Sequence, residues 1–150
     1  MAQTLTRLLV HVIFSTRART NLIAPAIEPE LYPYLGAICR TNESPLLSVG
    51  GTENHVHLLV SLSKNLALKD LIMTVKKDSS RWIKTRGPGF RRFHWQDGYG
   101  AFSIGESQVQ AVKDYIARQK QRHRCITFED EFVAFLEKYN VPYDLRYIWR

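Results

Sequence analysis

Two apolar runs joined by a short turn decide the fold: PLLSVGG at residues 45–51 and HVHLLVSL at residues 55–62, separated by TEN at 52–54. Runs of this length, rich in Leu and Val, are typical of buried β-strands. The glycine pair and the polar residues between the runs favour a tight turn. We therefore expect an antiparallel hairpin here.

The segments on both sides of this hairpin extend the pattern. An apolar run at 8–14 predicts an earlier strand, and a helix is predicted near 28–42. The later elements are predicted as helices over 66–84, 107–122 and 128–139 and a strand over 99–104. The order βαββαβ suits an α+β fold with a ferredoxin-like (RRM-like) antiparallel sheet, helices on one face and an added C-terminal helix that carries Tyr115.

The composition fits one globular domain spanning residues 1–150. Of the 150 residues, 45% are apolar and 23% are charged, which excludes a disordered or fibrous chain. The net charge is +7, and residues 61–125 hold fourteen of the 21 basic residues but five of the 14 acidic ones. This concentration of positive charge indicates a polyanion as the partner.

Several features favour the cytoplasm. The apolar run at 8–14 is too short to cross a bilayer, and the first residues have no signal-peptide layout. The two cysteines, Cys39 and Cys125, are far apart, which favours free thiols in a reducing compartment. We therefore expect a cytoplasmic protein with no membrane partner.

The sharpest feature is the triplet of His55, Val56 and His57 on the second strand of the hairpin. Side chains at i and i+2 of a strand project from the same face, roughly 6.5–7 Å apart along the chain. Two imidazoles so placed can converge on one metal ion. The alternative is a pair of histidines on a solvated sheet face, and the triplet alone leaves both interpretations open.

Three further histidines receive no role in the site. His11 alternates with Leu9 and Ile13 on the first strand, which favours a core position. His94 and His123 have no partner at ligand spacing. The sequence therefore predicts that only the histidines of the triplet belong to the candidate site.

A tyrosine and a glutamine lie one turn apart on the helix predicted after the last strand. Tyr115 and Gln119 share a face, at the margin of an apolar stripe formed by Val109, Val112 and Ile116. A tyrosine in this position also suits packing at the edge of a core. With the histidine pair, these side chains define a candidate site of two imidazoles, an amide oxygen and a phenol.

This combination suits a phosphoryl transferase that uses tyrosine as its nucleophile. A phenol has an unperturbed pKa of about 10 and attacks poorly at neutral pH. A divalent cation beside it can polarise a phosphate and neutralise charge in the transition state. Attack by Tyr115 then gives a phosphotyrosine, and a strand can be rejoined from that ester without ATP.

Five blocks follow one another along the chain: HVIFST at 11–16, GGTENHVHLLV at 50–60, KDSSRWI at 77–83, WQDGYGAFS at 95–103 and YIARQ at 115–119. In this order they resemble the insertion-sequence-200-like family of small single-tyrosine HUH transposases, which includes transposases associated with repetitive extragenic palindromes (REP). Many relatives have an acidic residue directly before the histidine pair, where this chain has Asn54.

The resemblance implies a metal-dependent transposase that cuts and rejoins single-stranded DNA at hairpin-flanked ends through a 5′-phosphotyrosine intermediate. It implies Tyr115 as the nucleophile and His55, His57 and Gln119 as ligands of Mg²⁺ or Mn²⁺. It also implies single-stranded DNA with hairpins as the partner, and a homodimer whose active sites are shared between subunits. Such a protein belongs in the bacterial cytoplasm, at the nucleoid when it is bound to DNA.

Basic residues outside the histidine strand are candidates for phosphate contacts. Most of them form two clusters, one in and after the helix over 66–84 and one beside the tyrosine. A single further arginine follows the first strand. An exposed lysine or arginine also suits an ordinary solvated helix face. The candidates are Arg17, Lys76, Lys77, Arg81, Lys84, Arg91, Arg92, Arg118 and Arg122.

Two other functions are compatible with these residues. The same chemistry suits a domesticated, non-mobile nuclease, and the same sheet suits a non-catalytic protein that binds single-stranded nucleic acid. A pure binder has no need of two histidines, a tyrosine and a glutamine in this arrangement. We therefore expect an enzyme.

Overall fold

The computed structural model describes residues 2–150, in which four strands form one antiparallel sheet in the order β2-β3-β1-β4. The strands are β1 (Leu9–Ser15), β2 (Leu46–Thr52), β3 (His55–Ser61) and β4 (Gly100–Ile104). The helices are α1 (Glu28–Thr41), α2 (Leu68–Lys84), α3 (Val109–Ala117), α4 (Gln119–Arg122) and α5 (Phe128–Lys138). Within residues 2–150, none of the helices is long and apolar enough to cross a bilayer. The βαββαβ order and the α+β class predicted from the sequence are confirmed.

Helices α1 and α2 cover one face of the sheet. Alternate side chains of the two central strands point into this layer, and Phe14 of β1 and Leu58 of β3 are buried there with Leu35 of α1 and Val75 of α2. This is the largest apolar cluster in the described residues, and burial of its apolar surface is the main force that holds the strands in place.

Helices α3, α4 and α5 cover the opposite face. The period-two alternation of the strands turns Ile13 of β1 and the histidine pair of β3 toward this layer, where Ile13 packs with Phe128 and Phe132 of α5. The ring of His55 lies 4.6 Å from that of Phe128, centroid to centroid. The histidine pair therefore lies beneath the C-terminal helices and not on a solvated face.

The helix predicted over 107–122 is interrupted. The backbone leaves helical geometry at Arg118 (φ −102°, ψ 18°), which separates α3 from α4. Directly after this break, Gln119 is only 1% exposed. Its side-chain amide donates a hydrogen bond to Glu131, and its amide oxygen faces His55.

A glycine of β2 sets how closely the tyrosine helix approaches the sheet. A Cβ atom at Gly50 would lie 2.6 Å from the carbonyl oxygen of Ile116 and 2.9 Å from its Cγ2 atom. Because backbone at that distance cannot yield without moving the helix, only glycine permits this contact. Ile116 is the neighbour of Tyr115 in sequence, so Gly50 positions the tyrosine relative to the histidine strand.

Candidate active site

The histidine pair of β3 forms the centre of a buried polar cluster. His55 and His57 are both fully buried, and their ring centroids are 5.1 Å apart. Gln119 of α4 and Glu131 of α5 complete the inner part of the cluster, each with 1% exposure or less. Buried polar groups of this kind require partners, so their contacts define what the site can hold.

The ring of His55 is oriented by the residues that precede it. Its Nδ1 atom lies 2.8 Å from Oδ1 of Asn54, an oxygen that only accepts hydrogen bonds, so Nδ1 carries the hydrogen and donates it. Nδ2 of Asn54 donates to the backbone carbonyl oxygen of Arg19 at 3.4 Å, which fixes the orientation of the amide, and Thr52 donates to Oδ1 of Asn54 at 3.0 Å. In a neutral His55 the Nε2 atom therefore presents a lone pair, and it faces Oε1 of Gln119 at 2.9 Å.

His123 lies on the other side of the cluster and, like His55, has a donating Nδ1 atom and an Nε2 atom that faces inward. Its Nδ1 atom lies 2.9 Å from the backbone carbonyl oxygen of Ile126, which again only accepts, so Nδ1 is the donor. The Nε2 lone pair of a neutral His123 then faces Oε1 of Gln119 at 3.0 Å and Oε1 of Glu131 at 3.1 Å.

His57 is held from behind by His11. Nε2 of His11 and Nδ1 of His57 are 2.8 Å apart, a hydrogen bond in which one ring donates and the other accepts. Burial lowers the pKa of His11 to about 3 and that of His57 to about 4, so both rings are neutral at physiological pH. The inner nitrogen of His57, Nε2, lies 2.9 Å from Oε1 of Glu131.

Glu131 is a fully buried carboxylate at the junction of all these groups. Burial alone would raise the pKa of its carboxyl, but the close contacts with the imidazoles of His123, His55 and His57 hold that pKa well below its usual range. Its Oε1 atom faces the imidazoles, and its Oε2 atom faces Gln119, whose Nε2 atom donates at 3.1 Å. An ionised carboxylate is stable in this interior only because polar side chains contact both of its oxygens.

The inner atoms of the cluster form a set of lone pairs that suits a cation. With the hydrogen on Nδ1, Nε2 of His55 and Nε2 of His123 each turn a lone pair inward, and the oxygens they face, on Gln119 and Glu131, are themselves acceptors. Acceptors directed at one another repel unless a cation or a proton lies between them. Ligand atoms of His55, His57, His123 and Glu131 all lie within 4.8 Å of one another, and imidazole nitrogens with outward hydrogen bonds are the usual arrangement around a divalent metal. The cluster therefore fits a divalent metal site.

Tyr115 lies at the outer edge of this cluster, in the same chain. Its hydroxyl donates a hydrogen bond to Oε2 of Glu131. Burial, together with the nearby Glu131 carboxylate, raises the pKa of Tyr115 above its usual range, so the phenol is protonated here. The Arg122 guanidinium lies 5.0 Å from the centre of the tyrosine ring, and its Nε atom is 3.4 Å from Oε2 of Glu131. A phenol, a carboxylate and an exposed cation thus meet beside the histidines.

The residues predicted to contact DNA lie in two separate regions of the surface. Arg122 is beside Tyr115, and Arg118 is exposed at the break between α3 and α4. The remaining candidates lie along α2, on the turn after it and at the end of β1, where they border two adjoining clefts that share Lys84 and His94. The exposed members of this second region, which we call the α2 surface, are Arg17, Lys77, Arg81, Lys84, Arg91 and Arg92.

Lys76 differs from its neighbours on the α2 surface because its ammonium group is already engaged. Nζ donates to the backbone carbonyl oxygens of Gln96 at 2.8 Å and Gly98 at 2.7 Å, and it lies 5.1 Å from the centre of the Phe14 ring. Burial lowers the pKa of Lys76 to about 8. In the described structure, Lys76 holds the 96–98 segment in place.

With this geometry in place, the chain can be assigned to a family. The sequence model of the family described as "Transposase IS200 like" matches residues 4–119. That match covers well over half of the 150 residues, so the chain belongs to the IS200-like transposases. No curated protein matched the chain.

Solved structures show the same fold. A candidate transposase from Deinococcus radiodurans R1 is 20% identical with a TM-score of 0.62, over 79% of this chain and 95% of that chain. A REP-associated tyrosine transposase bound to a REP hairpin is 13% identical with a TM-score of 0.61, over 84% of this chain and 76% of that chain. At these identities the likeness establishes the shared α+β fold.

Two residues of the cluster, His123 and Glu131, were not predicted from the sequence. Both follow residue 119, where the family match ends. Glu131 did carry a signal, because it falls among the buried positions of α5 with Phe128 and Phe132, and an acidic residue there requires partners. His123 lies four residues after Gln119, which is about one helical turn.

Proposed function

We propose that this transposase-family chain is a metal-dependent endonuclease and strand transferase for single-stranded DNA, with Tyr115 as its nucleophile. The observation that carries the proposal is the position of the Tyr115 hydroxyl. It contacts Oε2 of Glu131, while the other oxygen of the same carboxylate faces the lone pairs of the imidazole cluster. A phosphate placed between them would touch both the nucleophile and the metal site.

We propose that the predicted ligands His55, His57 and Gln119 hold the cation, and that Glu131 and His123 add to the set. When bound, a divalent cation would polarise the scissile phosphate and offset the negative charge that builds up on it. Mg²⁺ and Mn²⁺ are the expected ions, and the nitrogen ligands favour Mn²⁺ of the two.

In this reaction the Tyr115 oxygen attacks the phosphorus atom and forms an ester bond while the bond from phosphorus to the 3′ oxygen breaks. The phenolic proton, which is donated to Oε2 of Glu131 before the reaction, passes to solvent, and the departing 3′ oxygen takes a proton from solvent. The product is a 5′-phosphotyrosine, from which a second 3′-hydroxyl can regenerate the DNA strand. We propose that Arg122, which lies beside Tyr115, contacts the phosphate group.

We further propose that hairpin-containing single-stranded DNA is the substrate. The fold-related REP transposase was solved with a REP hairpin, and the α2 surface here presents six exposed basic residues. Arginine and lysine neutralise phosphates in this way without reading sequence.

The proposal is tested with single-stranded DNA hairpins drawn from the sequence that flanks this gene, incubated with Mn²⁺ or Mg²⁺. We expect a covalent protein–DNA adduct on a denaturing gel for the parent chain. Tyr115→Phe should bind the hairpin but form no adduct, because it lacks only the attacking oxygen, and the exposed Tyr147→Phe should behave like the parent. DNA binding without any adduct from the parent chain would favour the non-catalytic alternative.

The homodimer with shared active sites stays a prediction, and a mixing experiment tests it. In one chain Tyr115 contacts Glu131, so a single chain contains every proposed group. If subunits share sites, a mixture of Tyr115→Phe and His57→Ala chains should regain adduct formation. If each chain acts alone, the mixture should stay inactive.

A further inference from the structure

A cavity of about 340 Å³ lies between α3 and α5 and opens at the proposed nucleophile. Tyr115, Glu131 and His11 form its inner end, Val112 of α3 forms one wall, and Phe135 of α5 lines the other. The proposed chemistry uses the inner end alone, so the walls have no function assigned to them.

The α5 wall of this cavity is a flat aromatic surface. The rings of Phe135 and Tyr139 are nearly parallel, with an interplanar angle of 9° and centroids 6.4 Å apart. Buried Phe102 stacks against both, at 5.4 Å from Phe135 and 4.8 Å from Tyr139, which fixes their orientation. Both rings remain partly exposed and line the cavity.

Two cations lie at the mouth of the cavity. Arg122 stands over the Tyr115 ring at 5.0 Å, and Nζ of Lys138 lies 5.4 Å from the centre of the Tyr139 ring. Both side chains line the cavity and are exposed to solvent. A planar apolar group flanked by negative charges would satisfy this combination of aromatic wall and cationic mouth.

We propose that this cavity binds an unpaired nucleobase, that of the nucleotide adjoining the phosphate attacked by Tyr115. The inference rests on the proposed function, because that reaction brings a phosphate to the Tyr115 hydroxyl and therefore brings the neighbouring base within reach of the Phe135 ring, whose centroid is 5.6 Å from that of Tyr115. Unpaired bases stack on aromatic side chains in single-strand binders, and Arg122 and Lys138 are placed for the flanking phosphates. A paired base could not enter, so the cavity selects single-stranded DNA at the point of cleavage.

The first test removes the base and the aromatic wall separately and together. Once the cleaved bond is mapped, each of the two adjoining nucleotides is replaced by an abasic one, and cleavage is timed. For one of the two, we expect roughly ten-fold slower cleavage by the parent chain, a typical effect of a lost stack. Phe135→Leu, which keeps an apolar side chain, should slow cleavage of intact DNA similarly and should lose its sensitivity to the abasic site. Equal sensitivity in the parent and Phe135→Leu would overturn the proposal.

The second test does not depend on cleavage. Tyr115→Phe protein is titrated with hairpins that carry 2-aminopurine, a fluorescent base, at successive positions of the unpaired flank. We expect quenching at one position, and loss of that quenching when Phe135→Leu is added, whereas adding Tyr147→Ala, an exposed aromatic outside the cavity, should leave it unchanged. If the parent chain forms no adduct with any hairpin, quenching that depends on Phe135 would support base binding in the cavity and refute the proposed chemistry. No quenching at any position would refute the binding of a base in the cavity. The cavity could then bind another segment of this chain or a second copy.

Discussion

His11 and His57 form a buried pair in which Nε2 of the first lies 2.8 Å from Nδ1 of the second. The pair joins the two central strands on the face that carries the site, and it leaves the inner nitrogen of His57 directed at Glu131. His11 matches the core position expected from its alternation with Leu9 and Ile13, but its contact shows a further role, which is to orient the ring of a proposed metal ligand.

Replacement of His11 should therefore weaken metal binding. For His11→Leu we expect a loss of Mn²⁺ affinity of about 10- to 100-fold, the usual effect of removing a partner behind a ligating histidine. His11→Gln retains a hydrogen-bonding group and should lose less. Isothermal titration calorimetry measures the affinity, and His94→Gln, at an exposed histidine, serves as the matched control. Unchanged affinity in His11→Leu would show that His11 only fills space.

Glu131 should be needed for metal binding although the family match ends before it. Glu131→Gln keeps the shape of the side chain and removes its charge, and we expect it to lower Mn²⁺ affinity roughly ten-fold or more, since an anionic ligand is lost. Glu129→Gln changes an acidic residue two positions earlier on α5, which pairs with Arg19, and it should bind the ion like the parent chain. Equal losses in the two variants would mean that the charge of α5, and not a ligand, sets the affinity.

Gly50 should be intolerant of even a methyl group. In Gly50→Ala the new Cβ would meet the Ile116 carbonyl at 2.6 Å, so α3 must move away from β2. We expect a loss of about 1–3 kcal/mol in the free energy of unfolding and a larger fall in adduct formation, because Tyr115 moves with the helix. Gly36→Ala is the control, since no atom lies within 4 Å of its Cβ position in α1 and alanine favours helix. Urea denaturation gives both free energies, and a neutral Gly50→Ala would contradict the close contact.

Two adjacent lysines of α2 should respond differently when they are changed. Lys77 is exposed on the α2 surface, so Lys77→Ala should reduce the slope of log affinity for hairpin DNA against log salt by about one unit. Lys76 is bonded to the carbonyls of Gln96 and Gly98, so Lys76→Ala should lower stability and leave that slope nearly unchanged. The reverse pattern would show that Lys76 leaves the loop to contact DNA.

Much of the fold and part of the site follow from local sequence patterns. The hairpin at 45–62 and the strand position of His55 and His57 depend on apolar runs and a two-residue period, which are properties of short segments. What could not be predicted is the convergence on Glu131, because it depends on how α4 and α5 fold back over the sheet after the break at Arg118. The departure from the family pattern at Asn54 could be seen in the sequence, but its structural role could not: Asn54 accepts a hydrogen bond from His55 and orients its ring.

The residue to which the DNA becomes attached decides whether Tyr115 is the nucleophile. The adduct formed with a hairpin substrate and Mn²⁺ should be digested with nuclease and trypsin and analysed by mass spectrometry. Cleavage after Lys113 and Arg118 releases residues 114–118, and we predict that this peptide carries the nucleotide phosphate, on Tyr115. A phosphate on a different tyrosine, or efficient DNA cleavage with no linked peptide at all, would contradict the assignment of Tyr115 as the nucleophile.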